Sequence, residues 1–235
     1  MKKQTFFCLS LAFFCMTLLC CLALYLRASA PGNDFQAQVQ KTESEADAVL
    51  ETLRSSLETA DTAQTSSNES EPFLIWVGDS RTVGLERAMK NEDCYIGASG
   101  EGYYWFSSEG LPLLQDAIAK HPDAPVIFNL GVNDHENLDL YLALYCKLFQ
   151  DYPSVCFYFL SVNPVDEARC SAIDNTQISD FNNHMKELFG KRYIDSYSWM
   201  LQEQIETSDG IHYKADDYQA LYQFVLTFEE LSDSF

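Results

Sequence analysis

Short apolar runs alternate with longer amphipathic stretches about five times between residue 72 and the end of the chain. The first run, 73–77, is continuous and is closed by Gly78, which is typical of a parallel strand buried on both faces. Strands that alternate with helices predict right-handed βαβ units, so we expect an α/β fold, a three-layer α/β/α sandwich around a five-stranded parallel sheet. The predicted strands are 73–77, 94–98, 126–130, 155–161 and 193–194, and the predicted helices are 81–89, 111–120, 138–150, 174–189 and 215–231.

Residues 1–30 are predicted to be a targeting segment separate from the folded body. Residues 5–26 carry no charge, and a helix of that length spans about 33 Å, enough to cross the hydrocarbon core of a membrane. Lys2 and Lys3 precede it and Arg27 follows, which favours a cytoplasmic N-terminus and a body outside the cell. We therefore expect a signal-anchor transmembrane helix in the cell membrane. The alternative is a signal peptide cleaved at the small residues 28–30, which would release a secreted protein.

A polar segment rich in Ala, Glu, Gln, Ser and Thr occupies residues 31–71. Val49, Leu53 and Leu57 recur at helical spacing, so part of this segment is predicted to be helical. The sequence thus predicts a stub and anchor at 1–30, a partly helical tether at 31–71 and a folded domain at 72–235.

The charge balance excludes some partners. The chain has 15 Lys+Arg against 35 Asp+Glu, a net charge of −20, whereas nucleic-acid binding requires cations that displace phosphate counterions. The same charge disfavours docking on anionic lipids and binding of anionic substrates. No cysteine has CxxC or Cys/His ligand spacing, so no zinc site is expected.

Polar residues at three element ends are candidates for chemistry, because ligands of parallel sheets bind beyond the carboxyl ends of the strands. Ser80 follows the first strand in Gly78-Asp79-Ser80-Arg81. On a strand-to-helix turn its hydroxyl is exposed, and its N–H lies at the positive end of the helix dipole, where it can stabilise an oxyanion. The alternative is an ordinary N-cap serine without chemistry.

Asn133 follows the third strand in Gly131-Val132-Asn133-Asp134. Its side-chain amide can donate to an oxyanion. The alternative is a simple turn, since Gly, Asn and Asp all favour turns.

Asp209 and His212 precede the last predicted helix. A carboxylate three residues before a histidine can bond one ring nitrogen and leave the other as a general base. The alternative is a solvated loop histidine. The other histidines, His121, His135 and His184, lack such a partner and are predicted to be surface residues.

In their order and positions these residues resemble the blocks of the SGNH hydrolases, the GDSL-type esterase superfamily, and most closely its small membrane-tethered extracytoplasmic bacterial members. The resemblance covers about 165 residues, from 71 to the C-terminus. It implies a flavodoxin-like fold with Ser80 as nucleophile, His212 as general base and Asp209 as its orienting acid. Asn133 and the N–H of Ser80 resemble the oxyanion-hole donors, and no metal or organic cofactor is implied.

The resemblance also implies a glycine N–H donor after the second strand. Gly97, Gly100 and Gly102 are candidates, and Gly100, in Ser-Gly, fits best. One residue departs from the family pattern, since Arg81 stands where founding members have leucine. This difference argues against a hydrophobic, lipase-like acyl pocket.

The implied function is an extracytoplasmic serine esterase that hydrolyses acetyl esters on a carbohydrate or cell-envelope glycan. The alternatives are an O-acyltransferase of envelope polysaccharide and a non-catalytic surface-binding protein on the same fold. The aromatic run 103–106 is predicted either to stack on sugar rings or to pack partly in the core.

Overall fold

One sheet of five short strands lies at the centre of the fold in the computed structural model, which describes residues 73–228 and 231. The strands are β1 (Ile75–Gly78), β2 (Cys94–Gly97), β3 (Val126–Asn129), β4 (Phe157–Leu160) and β5 (Tyr193–Ile194). They lie in the order β2-β1-β3-β4-β5, and every neighbouring pair is parallel. The five-stranded parallel sheet predicted from the sequence is confirmed, with each strand within two residues of its predicted bounds.

Helices connect the strands, and two of the α-helices were not predicted. The helices are α1 (Ser80–Met89), α2 (Tyr103–Trp105), α3 (Leu111–Lys120), α4 (Leu138–Asp151), α5 (Asn175–Phe189), α6 (Ser196–Gln202) and α7 (Ala215–Leu226). The short α2 continues through a π-helical stretch, Phe106–Gly110, into α3, and 3₁₀ turns cover His135–Asn137 and Gly190–Arg192. Neither α2 nor α6 is long enough to show a clear helical period in the sequence.

The last helix was predicted too long. It ends at Leu226 rather than at residue 231, because the Thr227 N–H bonds to the carbonyl of Phe224 at 3.1 Å and tightens the final turn.

Alternate residues along the strands face two separate cores. Ile75 and Val77 of β1 point to the side covered by α3, α4 and α5. Trp76 points to the opposite side, where Leu85 of α1 and Leu221 of α7 cover it. The sheet is therefore buried on both faces, and the predicted three-layer α/β/α sandwich is confirmed.

The carboxyl ends of β1, β2 and β3 meet at one edge of the sheet. Gly78 at the end of β1 pairs in register with Gly97 of β2 on one side and Asn129 of β3 on the other. The connection from β1 runs to β2 on one side and the connection from β3 runs to β4 on the other. The position between β1 and β3 is therefore the switch point where parallel sheets bind ligands.

The predicted anchor at 1–30 and tether at 31–71 lie outside the described residues and stay predictions. Within the described part, no helix combines the length and the hydrophobicity needed to cross a membrane.

Candidate active site

Ser80 is held on a tight turn between β1 and α1. Asp79 is the N-cap of α1, and its carboxylate accepts the N–H of Arg81 at 2.9 Å. Gly78 is required before the turn, because a Cβ there would lie 2.0 Å from the hydroxyl of Thr82. Ser80 is consequently the first residue of the helix, and its half-buried side chain lines a groove beside the sheet edge.

Arg81 lies beneath this turn and does not line the groove. Its guanidinium bonds both oxygens of Asp79, at 3.0 and 2.7 Å, and both side chains are almost completely buried. Burial alone would lower the pKa of Arg81, but the charge of Asp79, its hydrogen bonds and the nearby Tyr213 and Tyr218 together outweigh burial and raise that pKa. Because the ion pair with Asp79 turns this side chain into the protein interior, Arg81 itself places no charge in the groove.

His212 connects Ser80 to Asp209. Its Nε2 lies 2.7 Å from the Ser80 Oγ, and its Nδ1 lies 2.8 Å from Asp209 Oδ2. A carboxylate can only accept, so Nδ1 carries the hydrogen and the neutral ring presents a free Nε2 lone pair to the serine hydroxyl. The structure thus brings Ser80 into contact with the Asp209–His212 pair, although Ser80 and His212 are 132 positions apart in the sequence.

The loop that carries His212 is fixed by its own backbone. Asp209 Oδ1 accepts the N–H groups of Ile211 and His212, at 3.0 and 2.8 Å. Gly210 has φ +113°, a backbone conformation that residues other than glycine rarely adopt. Its carbonyl accepts the N–H of Asp166 at 2.9 Å. These bonds orient both the carboxylate and the imidazole.

The pKa of Asp209 is lowered from 3.8 to about 2, chiefly because the backbone N–H of His212 bonds the carboxylate. Since the folded pKa lies below the ordinary value, this group stabilises the fold above about pH 4, and the contribution is lost as the pH falls through about 2.

We expect His212→Ala to leave most of this depression in place, because the backbone bonds to Asp209 remain. The measurement is a carboxyl ¹³C NMR titration of aspartate-labelled protein, with Asp209→Asn assigning the resonance. A wild-type midpoint at or above 3.8 would contradict the geometry.

Asn133 and Gly100 lie in the same groove as Ser80. One N–H of the Asn133 amide donates to the Glu101 carbonyl at 2.8 Å, which fixes the side chain and leaves its second N–H for another acceptor. Gly100 has φ +77° and is exposed, with open space where a Cβ would be.

The other two candidate glycines have different surroundings. Gly97 is the last residue of β2, and a Cβ on Gly102 would lie 2.3 Å from the carboxylate of Asp134. Neither lines the groove, whereas Gly100 does.

Asp134, which the sequence predicts only as part of a turn, holds two loops beside the groove together. Its carboxylate accepts the Tyr103 N–H at 2.6 Å and the Tyr141 hydroxyl at 2.7 Å, and it packs against Gly102. Burial raises the pKa of Tyr141, so its hydroxyl remains a donor. Asp134 therefore ties the loop after β2 to the loop after β3 that carries Asn133. The Gly-x-Asn-Asp pattern is the sequence signal that marks it.

The aromatic run 103–106 does not line the groove. Phe106 is fully buried, and Tyr103 packs edge-on against Tyr141. Tyr104 is exposed. The run is therefore part core and part surface, the second of the two predicted alternatives.

The remaining histidines lie away from the groove. His121 stacks on Phe73, His135 lies beside Glu136, and His184 bonds the carbonyl of Asp180 in its own helix. Across residues 73–228, no group of three or more His, Cys, Asp or Glu side chains is placed to hold a metal ion.

The groove has a volume of about 750 Å³. Ser80 and His212 lie in it with Gly100 and Asn133, and Asp209 flanks His212. Gly100, Asn133 and Asp209 are exposed, so the site opens to solvent. A nucleophile-base-acid chain beside the fixed Asn133 amide, which has a free N–H donor, can carry out acyl transfer through a tetrahedral oxyanion.

Solved structures share this fold. A lipase/acylhydrolase from Enterococcus faecalis is 16% identical, with a TM-score of 0.51, and the match covers 68% of this chain and 96% of that one. A GDSL-like lipase from Bacteroides thetaiotaomicron is 22% identical, with a TM-score of 0.53, and the match covers 72% and 92%. A third structure, from Streptococcus pneumonia, is 19% identical, with a TM-score of 0.50, and the match covers 83% and 98%.

These similarities establish the fold, which is that of the SGNH or GDSL-type hydrolases, as the sequence resemblance implies. Scans against protein-family models and curated proteins give no match.

Proposed function

We propose that the protein is a serine esterase that uses Ser80, His212 and Asp209 as its catalytic triad. The observation that carries this proposal is the unbroken hydrogen-bond chain from the Ser80 Oγ through both nitrogens of His212 to Asp209. An N-cap serine without chemistry needs no such partner. Two structures with the same fold are named as a lipase/acylhydrolase and a GDSL-like lipase, which supports acyl-ester chemistry for this chain.

The first half of the reaction forms an acyl-enzyme. The Ser80 Oγ attacks the ester carbonyl carbon while its proton passes to His212 Nε2. The oxyanion that forms is held by the N–H groups of Ser80 and Gly100 and by the free N–H of Asn133. When the tetrahedral intermediate collapses, the C–O bond to the alcohol breaks and His212 returns the proton to the departing oxygen.

Water completes the cycle by the same route. It attacks the acyl carbon and gives a proton to His212, and the bond to Ser80 breaks as that proton moves to the Oγ. The carboxylic acid leaves and the enzyme is restored. Asp209 stays ionised throughout and stabilises the imidazolium, consistent with its low pKa.

The proposed substrate is a short acyl ester, such as acetyl, on a glycan, because the site opens to solvent and accommodates a large alcohol group. We propose that the domain acts outside the cytoplasm, tethered by the apolar segment 5–26. The support for this location is the uncharged segment and its flanking basic residues.

Labelling of the full-length chain with a fluorophosphonate tests the proposed nucleophile. We expect one adduct, mapped by peptide mass to Ser80 and lost in Ser80→Ala. Ser154→Ala, at an exposed serine in a turn after α4, is the matched control and should label fully. An unlabelled wild-type chain would instead favour the non-catalytic binding protein.

Asn133→Ala should remove one oxyanion donor and lower kcat by about 10²–10³, with a smaller change in KM, because this bond strengthens only in the transition state. The assay is hydrolysis of p-nitrophenyl acetate. Asn133→Asp, similar in shape but without a donor, should lose at least as much. If both variants kept the wild-type kcat, Asn133 would not be an oxyanion-hole donor.

A further inference from the structure

The groove that begins at Ser80 continues along one face of α1. Val83, Gly84, Arg87 and Ala88 line it, three, four, seven and eight residues after the serine. These spacings lie on one face of a helix. Arg87 is therefore about 10 Å from Ser80 along the helix axis.

Arg87 differs in character from the rest of the groove. Apart from the titratable His212, the other lining side chains are uncharged, among them Val83, Tyr213 and Tyr218. Arg87 is exposed and forms no ion pair with any residue between 73 and 228.

Among the described residues, no nearby carboxylate forms an ion pair with Arg87. Glu86 and Asp93 line an adjoining hollow together with Arg87 and Lys90. The carboxylate of Asp93 already accepts hydrogen bonds from Leu74, Trp76 and Tyr222. Lys90 lies in the same hollow, so two basic and two acidic side chains surround this end of the groove. Of these four, Arg87 is the one that lines the groove itself.

A group bound in the groove meets the charge of Arg87 at shorter range than the overall charge of the chain. The net charge of −20 acts mostly over distances at which salt screens it, since the Debye length is about 8 Å at physiological ionic strength. A guanidinium presents paired N–H donors that match carboxylate and phosphate oxygens. Arg87 lies near the C-terminus of α1, where a cation also stabilises the helix without binding any ligand. The experiment must therefore separate substrate binding by Arg87 from helix stabilisation.

We propose that Arg87 is a specificity-determining residue that binds a carboxylate or phosphate group on the alcohol side of the substrate. The substrate is then an acylated acidic glycan, with its anionic group about 10 Å from the ester. This inference rests on the proposed esterase function, and it replaces the expectation from the net charge that anionic substrates are disfavoured.

Two pairs of probes test it with the full-length chain. One pair is O-acetylated trigalacturonate and the same compound with its carboxylates methyl-esterified. The other is O-acetylated maltotriose with and without a phosphate group. Acetate release gives kcat/KM for each, and the selectivity is the ratio of the anionic to the neutral member.

For at least one pair, wild type should prefer the anionic member by about tenfold, the size expected of one charge-assisted hydrogen bond. Arg87→Gln should bring the ratio to about one, and Arg87→Glu should reverse it. Raising the salt concentration should shrink the wild-type ratio, because the site is exposed. Lys191→Gln removes an exposed positive charge outside the groove and should keep the wild-type ratio.

Ratios near one for both pairs in wild type, or an anionic preference that Arg87→Gln retains, would overturn the role of Arg87. If the chain hydrolyses p-nitrophenyl acetate but releases acetate from none of the four glycans, the inference fails and the esterase function stands. If it hydrolyses neither p-nitrophenyl acetate nor any glycan ester, both fail.

Discussion

Ser80→Ala is expected to lower kcat for p-nitrophenyl acetate by up to about 10⁶, because no other hydroxyl lies within hydrogen-bonding distance of His212 Nε2 in the described residues. His212→Ala should lose a similar amount, since the serine hydroxyl then has no base. The double variant should be little worse than either single variant, because the nucleophile and base act as one unit.

Steady-state kinetics of the three variants and a buffer blank measure these losses. Ser154→Ala serves again as the control for serine replacement. If the losses of the two single variants multiplied in the double variant, Ser80 and His212 would not act in one step. Equal rates for Ser80→Ala and wild type would rule out Ser80 as nucleophile.

Arg81→Leu is expected to lower the free energy of unfolding by about 3–5 kcal/mol, because it leaves the carboxylate of Asp79 buried without its cation. Asp79 is fully buried and Arg81 is 1% exposed, so solvent cannot replace the lost partner. Urea denaturation followed by circular dichroism gives the change.

The double variant Asp79→Asn with Arg81→Leu should recover much of this loss, since asparagine carries no charge and can still accept the N–H of residue 81. Lys120→Ala, which breaks the exposed ion pair with Asp116, should lower the free energy of unfolding far less, because solvent screens that pair. If Arg81→Leu were as mild as Lys120→Ala, the buried pair would not be the source of stability assigned to it.

Much of the fold could be predicted from the sequence, because the strands are buried on both faces. Such strands consist of continuous apolar runs, as in Ile75–Gly78 and Phe157–Leu160. These runs can be recognised in the sequence without any tertiary information. The short helix Ser196–Gln202 was missed because its start depends on capping by Asp195 and on tertiary packing of Met200.

The candidate triad could also be predicted, because Ser80 follows a recognisable strand, Asp209 and His212 precede a recognisable helix, and the order of the blocks is informative. The roles of Asp134 and Arg81 could not. Asp134 acts through contacts with Tyr103 and Tyr141, which lie on different elements. The basic side chain of Arg81 is turned inward by a partner two residues away, and the sequence alone does not reveal this burial. Arg87 is one of many charges in the sequence, and only the shape of the groove distinguishes it.

The most direct test of the central claim is to trap the acyl-enzyme. The full-length chain is mixed with p-nitrophenyl acetate, quenched in acid within the first turnovers, and digested for peptide mass spectrometry. The account predicts one acetyl group on the peptide that contains Ser80, absent from Ser80→Ala and retained in Ser154→Ala. Rapid ester hydrolysis with no acetyl group on Ser80 at any quench time, and with full activity in Ser80→Ala, would contradict it.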